Sequence, residues 1–215
     1  MSSFTPTEKV LLKKLNTPAK VQDYLNSLEF NFETDGKDVI KSPVRVMREK
    51  SAHCMEGAVL AAYILSLHGY KPLILHLQTT KHDFDHVIAV FQKDGLWGAI
   101  SKTNHAVLRY REAVYKDIRE LVMSYFHEYF LNENGKKTLR KYSEVLDLSK
   151  KDILKKIGKD WAMREDDLWE IDDELDRIKH YEIVPKKLSK KVYKNLRKAD
   201  KVEIEAGKIV EYKKR

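Results

Sequence analysis

The only cysteine of the chain, Cys54, sits near the start of a strongly apolar run, SAHCMEGAVLAAYILSLHGY, and His86 heads the segment HVIAVF about thirty residues later. A thiol at the first turn of a buried helix, facing an imidazole at the mouth of a strand, is what thiol-dependent acyl transfer or amide hydrolysis requires. An unperturbed thiol, with a pKa of about 8.5, is mostly protonated at neutral pH. The partial positive charge of a helix N-terminus and a neighbouring imidazolium would both favour the thiolate. A lone cysteine is more often a small buried hydrophobe; position and partner favour the chemical role here. Asp83 and Asp85 adjoin the histidine in sequence and would raise its basicity if either carboxylate faced the ring. An oxyanion needs donors, and the Cys54 backbone N–H is the natural first one. His53, beside the nucleophile, would point elsewhere on a helix.

The elements that must hold these groups are legible from caps and periodicity. Thr17-Pro18 starts an amphipathic helix, AKVQDYLNSL, after a loose first few residues, and Asp35-Gly36 marks a turn. Ser42-Pro43 repeats the cap signal before VRVMREK, Ser51 caps the cysteine helix, and Gly69 closes it. Residues 58–67, AVLAAYILSL, are apolar nearly all round, which predicts a helix covered on most faces. LILHLQT and HVIAVFQ read as strands around the loop KHDFD, and Lys93-Asp94-Gly95 as a tight turn into LWGAIS. Apolar spacing from Val114 to Phe130 predicts a helix stopped at Asn134-Gly135. An acidic helix with Trp169 and Leu175, a basic helix, and a hairpin KVEIEAGKIVEY turning at Ala206-Gly207 complete the chain. The fold class expected is α+β: a buried cysteine helix on an antiparallel sheet in residues 1–148, and a helical and hairpin extension, residues 149–215, packed on it.

These residues resemble the transglutaminase-like branch of the papain-like cysteine enzymes, in which a helix-borne cysteine, a strand-borne histidine and an acid on the next strand form the catalytic group. The resemblance covers roughly residues 40–110. It extends to a group of bacterial transglutaminase-like proteins through the segments HCMEGAVLAA, DFDHVIAVF and WGAISKTN, with RELVMSYFHEYF beyond. Trp97 stands where that superfamily often has a tryptophan. The resemblance implies Cys54 as nucleophile, His86 as general base and acid, a peptide or amide substrate, and no cofactor. It also exposes a departure: where the superfamily has aspartate, this chain has Ser101, whose neutral hydroxyl offers only a hydrogen bond. Asn104 could orient the ring instead, as an asparagine does in papain-type enzymes. The second oxyanion donor is missing from the pattern, because the position of papain's glutamine holds Arg48. Hydrolysis is favoured over transfer, and a non-catalytic binding or scaffold module is the alternative.

With 215 residues the chain can bury a substantial core, and one cysteine excludes an internal disulfide. A free thiol suits a reducing interior, and no stretch of eighteen apolar residues occurs, so a cytoplasmic protein with no membrane partner is expected. The net charge of +8, from 41 basic and 33 acidic residues, implies solubility first. Lys186 to Lys198 contains seven basic residues and no acid; with few aromatics interleaved it reads as a solvated face rather than a nucleic-acid surface. His82, Asp83, Asp85 and His86, with His76 or His53, could be read as metal ligands, but adjacent residues of an extended segment diverge. The acidic residues from Glu165 to Asp176 lack an EF-hand register and read as an exposed helix face. Sequence says nothing of oligomeric state.

Overall fold

Three times in the first fifty residues a Ser or Thr is followed by Pro, and each time a helix starts. The hydroxyls of Thr5, Thr17 and Ser42 accept the N–H groups of Glu8, Lys20 and Arg45 at 3.2, 3.3 and 3.5 Å, satisfying donors that a helix start leaves without partners. The computed structural model of the chain describes residues 3–33, 36 and 38–207. In chain order these form α1 (Pro6–Lys14), α2 (Pro18–Ser27), β1 (Glu29–Phe30), α3 (Pro43–Glu49), β2 (Ser51–Ala52), α4 (Cys54–Ser66), β3 (Leu73–Gln78), β4 (His86–Lys93), β5 (Leu96–Ile100), β6 (Arg111–Tyr115), α5 (Ile118–Phe126), β7 (Lys141–Ser143), β8 (Leu146–Asp147), α6 (Lys151–Ile157), α7 (Trp169–Arg177), β9 (His180–Glu182), α8 (Lys186–Lys194) and α9 (Lys201–Gly207).

The architecture is mixed α+β. An antiparallel sheet runs β6-β5-β4-β3-β7-β9, with β8 also on β3. Successive residues of β4 face opposite sides. Val87, Ala89 and Phe91 join the cluster built around α4, while Ile88 and Val90 join Leu121, Val122 and Tyr125 of α5. The sheet is therefore covered on both faces, and β4 is its buried middle. Ala58, Ala61 and Ala62 of α4 are wholly inaccessible; with no side-chain entropy to lose, they let the neighbouring elements approach closely.

Several local expectations are corrected. The described residues ahead of Thr17 are not loose, since α1 carries a reciprocal Thr5–Glu8 capping box. Ser51 lies in β2, and the cap of α4 is His53. Val114 is in β6 and half-exposed to exposed neighbours surround it; the helix that follows runs only from Ile118 to Phe126, well short of Asn134-Gly135. A bulge between Trp97 and Ala99 admits β6, and Gly98 is needed there because a Cβ would sit 2.5 Å from Phe91 and 2.8 Å from the Arg111 carbonyl. The hairpin at 201–212 is replaced by α9 over Lys201–Gly207, the remainder lying outside the described residues. Asp35 also lies outside them, while Gly36 (φ 72°) donates to the Glu33 carbonyl at 3.0 Å.

The C-terminal part shares the core. Trp161, Leu168, Ile171 and Leu175 belong to the same packed cluster as Val21, Val59 and Leu65, and β9 extends the sheet through β7. The acidic run is less exposed than its sequence implies. Asp167 pairs with Arg45 at 2.7 Å and Glu165 with Arg48 at 3.0 Å, while buried Glu174 receives Lys156 and Arg177 at 2.6 and 2.8 Å. α8 buries none of its residues. Among the described residues no helix is long and apolar enough to cross a membrane.

Candidate active site

Cys54 is the first residue of α4, partly exposed on a cleft of about 450 Å³. The helix starts there because His53 serves as cap: its Nδ1 accepts the Met55 N–H at 3.2 Å, and Glu56 reaches back to the His53 N–H at 2.9 Å. Glu56 is wholly buried and also accepts the Lys41 N–H at 3.1 Å. Burial pushes its carboxyl pKa up, against the opposing pull of His53 and Lys41. Gly57 follows. A Cβ there would lie 2.3 Å from the Cβ of Lys102, so only glycine lets the strand leaving β5 cross the first turn of α4.

His86 and Ser101 are brought together by strand pairing. The antiparallel register Ala89↔Ile100 puts the start of β4 and the end of β5 at one end of the sheet. There His86 Nε2 lies 2.7 Å from the Ser101 hydroxyl, both residues being buried. His86 and Cys54 line the same cleft; with Nε2 taken by Ser101, Nδ1 is the ring nitrogen left to act on the sulfur. Asn104 lines the cleft, but the far nitrogen of the ring goes to Ser101. Burial opposes a thiolate at Cys54, yet the charge of His86 and hydrogen bonds from His53 and His86 bring its pKa well below the ordinary thiol value.

Two imidazoles thus act on one sulfur. His53 Nε2 is 2.8 Å from the Val39 carbonyl and must donate to it. Its Nδ1 can accept the Met55 N–H while the sulfur is a thiol, or carry a proton toward the sulfur when it is a thiolate, but not both. Burial disfavours the charged ring, whereas Cys54 and Glu56 hold it, at about 9. The imidazolium form is the one that matches a thiolate.

Comparison with known protein families finds no matching family, and comparison with curated proteins finds no matching sequence.

The site is built by residues that the sequence pattern does not reveal. Gln22, on α2, is 4% exposed and grips the Ser101 backbone from both sides: its Oε1 accepts the Ser101 N–H and its Nε2 donates to the Ser101 carbonyl, each at 2.9 Å. Lys102 is buried and donates to the Leu25 and Leu28 carbonyls at 3.0 and 2.6 Å, where α2 ends. Burial lowers its pKa to about 8. Tyr129 donates to the Phe84 carbonyl at 3.3 Å, and burial with the nearby Cys54, Asp83 and Asp85 charges keeps its hydroxyl protonated. One signal was present in the sequence for Tyr129, its place in an apolar periodic stretch, but it pointed to packing.

Neither flanking aspartate supports His86. Asp85 accepts the Thr79 N–H at 2.7 Å and lies 3.2 Å from His76 Nε2; Asp83 bonds the Thr138 hydroxyl. They shape the loop that delivers His86. Among the described residues no group of three or more His, Cys, Asp or Glu is placed to hold a metal ion. Arg48 pairs with Glu165 and does not line the cleft. Asn31 does: its Oδ1 accepts the Glu33 N–H at 3.2 Å and its Nδ2 points to Glu56 at 3.4 Å, which leaves the amide a second N–H. Glu33 (φ 51°) and Leu108 (φ 58°) hold left-handed backbone on the cleft wall, a conformation that costs on the order of 1 kcal/mol each.

Proposed function

We propose that the chain is a thiol-dependent amide or peptide hydrolase of the transglutaminase-like, papain-like kind. The observation that carries this reading is the position of His86, which shares the cleft with Cys54, lowers the pKa of the thiol by its charge and lies 2.7 Å from Ser101. The Cys54 thiolate adds to the carbonyl carbon of the donor. The C–N bond then breaks as the His86 imidazolium gives its proton to the departing amine, leaving a thioester on Cys54. Water adds to the thioester, His86 takes its proton, and the carboxylic acid leaves with the thiolate restored. The developing oxyanion meets the Cys54 N–H, one of the amides a helix start leaves free, with the second N–H of Asn31 as its companion.

Ser101 favours a second reading. With a neutral hydroxyl rather than a carboxylate behind it, the imidazolium has weaker support. A cleft that binds an amide or acylates without turning over would fit that feature. One experiment separates the two: acylation by p-nitrophenyl acetate, followed by mass spectrometry. The hydrolase reading expects an acetyl group on Cys54 that is then lost to water, none on Cys54→Ala, and slower formation and loss in His86→Ala. A persistent adduct favours the binding module, and acylation equally fast in His86→Ala overturns the assignment of His86.

A further inference from the structure

The charge of the cleft is opposite to that of the chain. The molecule carries 41 Lys and Arg against 33 Asp and Glu, yet among the described residues lining the cleft there is no Lys or Arg, while Glu33, Asp83, Asp85, Glu128 and Glu133 all line it. Glu128 is matched by Arg111, and the positive ring of His53 is shared by Glu33 at 3.6 Å and buried Glu56 at 3.8 Å. Asp83 accepts the neutral Thr138 hydroxyl and Phe84 N–H. Glu33 also accepts the Val39 N–H at 3.0 Å, whereas Glu133, from a separate loop, is exposed.

Aromatic faces complete the lining. Phe84 is 91% exposed and Phe32 59% exposed, although both border the cleft, and Phe30 and Phe32 lie with ring centroids 4.8 Å apart. Large aromatics left in water beside a nucleophile are ready contacts for a substrate. Aromatic faces and carboxylates together attract cations through the ring quadrupole and direct charge pairing. The acids are too dispersed for a metal ion, since no described group of three could hold one. An organic cation, spread over several ångströms, fits that dispersion.

We propose that the cleft selects an acyl donor bearing a positively charged side chain beside the carbonyl that Cys54 attacks, a lysine-like or arginine-like amide or peptide. The proposal rests on the thiol-enzyme reading for the chemical step, but the selection belongs to the cleft walls and holds without it. An anionic donor would meet the same carboxylates and be repelled.

The test uses the p-nitrophenyl esters of N-acetyl-lysine, N-acetyl-norleucine and N-acetyl-glutamate, which differ mainly in the charge of the side chain. Acylation of Cys54 is expected to be about tenfold faster for the lysine ester than for the norleucine ester, and slower again for the glutamate ester. The preference should shrink in salt and in the double variant Glu33→Gln, Glu133→Gln. In parallel, calorimetry on Cys54→Ala compares the binding of N-acetyl-lysine amide and N-acetyl-norleucine amide. Equal acylation by all three esters would overturn the cationic preference and leave the thiol chemistry standing. No acylation by any ester would sink the thiol reading, and the calorimetry would still decide the preference: tighter lysine amide supports it, equal binding ends it. A lysine preference that survives the double variant would remove the carboxylates from the account.

Discussion

Gly57→Ala sets two effects of opposite sign against each other. Glycine in a helix is less favourable than alanine by up to about 1 kcal/mol, so helix propensity alone expects the variant to be more stable. The structure expects the reverse. The new Cβ would sit 2.3 Å from the Cβ of Lys102 and 3.0 Å from its Cγ, and carbon atoms in contact prefer about 3.5–4.0 Å. Relief needs a movement of more than an ångström. The atom that must move is joined directly to the backbone, is buried, and is anchored by the Lys102 bonds to Leu25 and Leu28. Overpacking of this kind costs about 1–3 kcal/mol, enough to cancel the propensity gain and leave a net loss of up to about 2 kcal/mol. Because Lys102 adjoins Ser101, the shift would also disturb the 2.7 Å contact to His86. Urea denaturation gives the stability, and iodoacetamide alkylation at pH 6 gives the thiol reactivity. A variant that is more stable by about 1 kcal/mol and alkylated at the wild-type rate would refute the close crossing of β5 over α4.

Gln22→Met keeps the shape but leaves the buried N–H and carbonyl of Ser101 without partners; at about 1–3 kcal/mol per group the loss should be about 2–5 kcal/mol in urea, and a change below 0.5, roughly the scatter of surface substitutions, would show the grip to be incidental. Ser101→Asp puts a carboxylate behind His86, and a charge-assisted bond should keep Cys54 reactive to lower pH and speed loss of an acyl group about tenfold; a folded variant with unchanged reactivity would argue against Ser101 as the ring's support. Lys102 gives a pH dependence. Its folded pKa, lowered by burial to about 8, lies below the unfolded value of about 10.4, so the unfolded chain binds more protons between these values and stability rises with pH across the window. The burial penalty is fully present below about pH 8 and gone above about pH 10.4, a difference on the order of 3 kcal/mol; Lys102→Met should remove that slope, and an identical slope in the variant would place the titration elsewhere.

What the sequence made legible follows from how far each interaction reaches. α4 and the strands β3, β4 and β5 announced themselves because burial imposes local periods of 3.6 and 2. Cys54 stood out as the only cysteine, and both it and His86 because they sit at element starts. Val114 was misplaced because a β-branched residue in a short strand can fall in phase with the helix that follows. The short strands β7, β8 and β9 were missed because two or three residues carry no period. His53 was hidden as a cap because imidazole seldom plays that part, and Ser51 offered the commoner one. Gln22 was out of reach for a different reason: its bonds cross seventy-nine positions to Ser101, and nothing near Gln22 in sequence marks a polar side chain as buried. The choice between Ser101 and Asn104 likewise depended on the direction of one ring, which the antiparallel register decides.

The central claim is that imidazole charge keeps the Cys54 sulfur as a thiolate. Ultraviolet absorbance of the thiolate, followed from neutral to acidic pH in wild type, His86→Ala and Cys54→Ala, measures it directly. A Cys54-dependent signal should persist well below the ordinary thiol range and move upward in pH when His86 is removed. A wild-type curve like that of a free thiol, or one that superimposes on His86→Ala, would contradict the account.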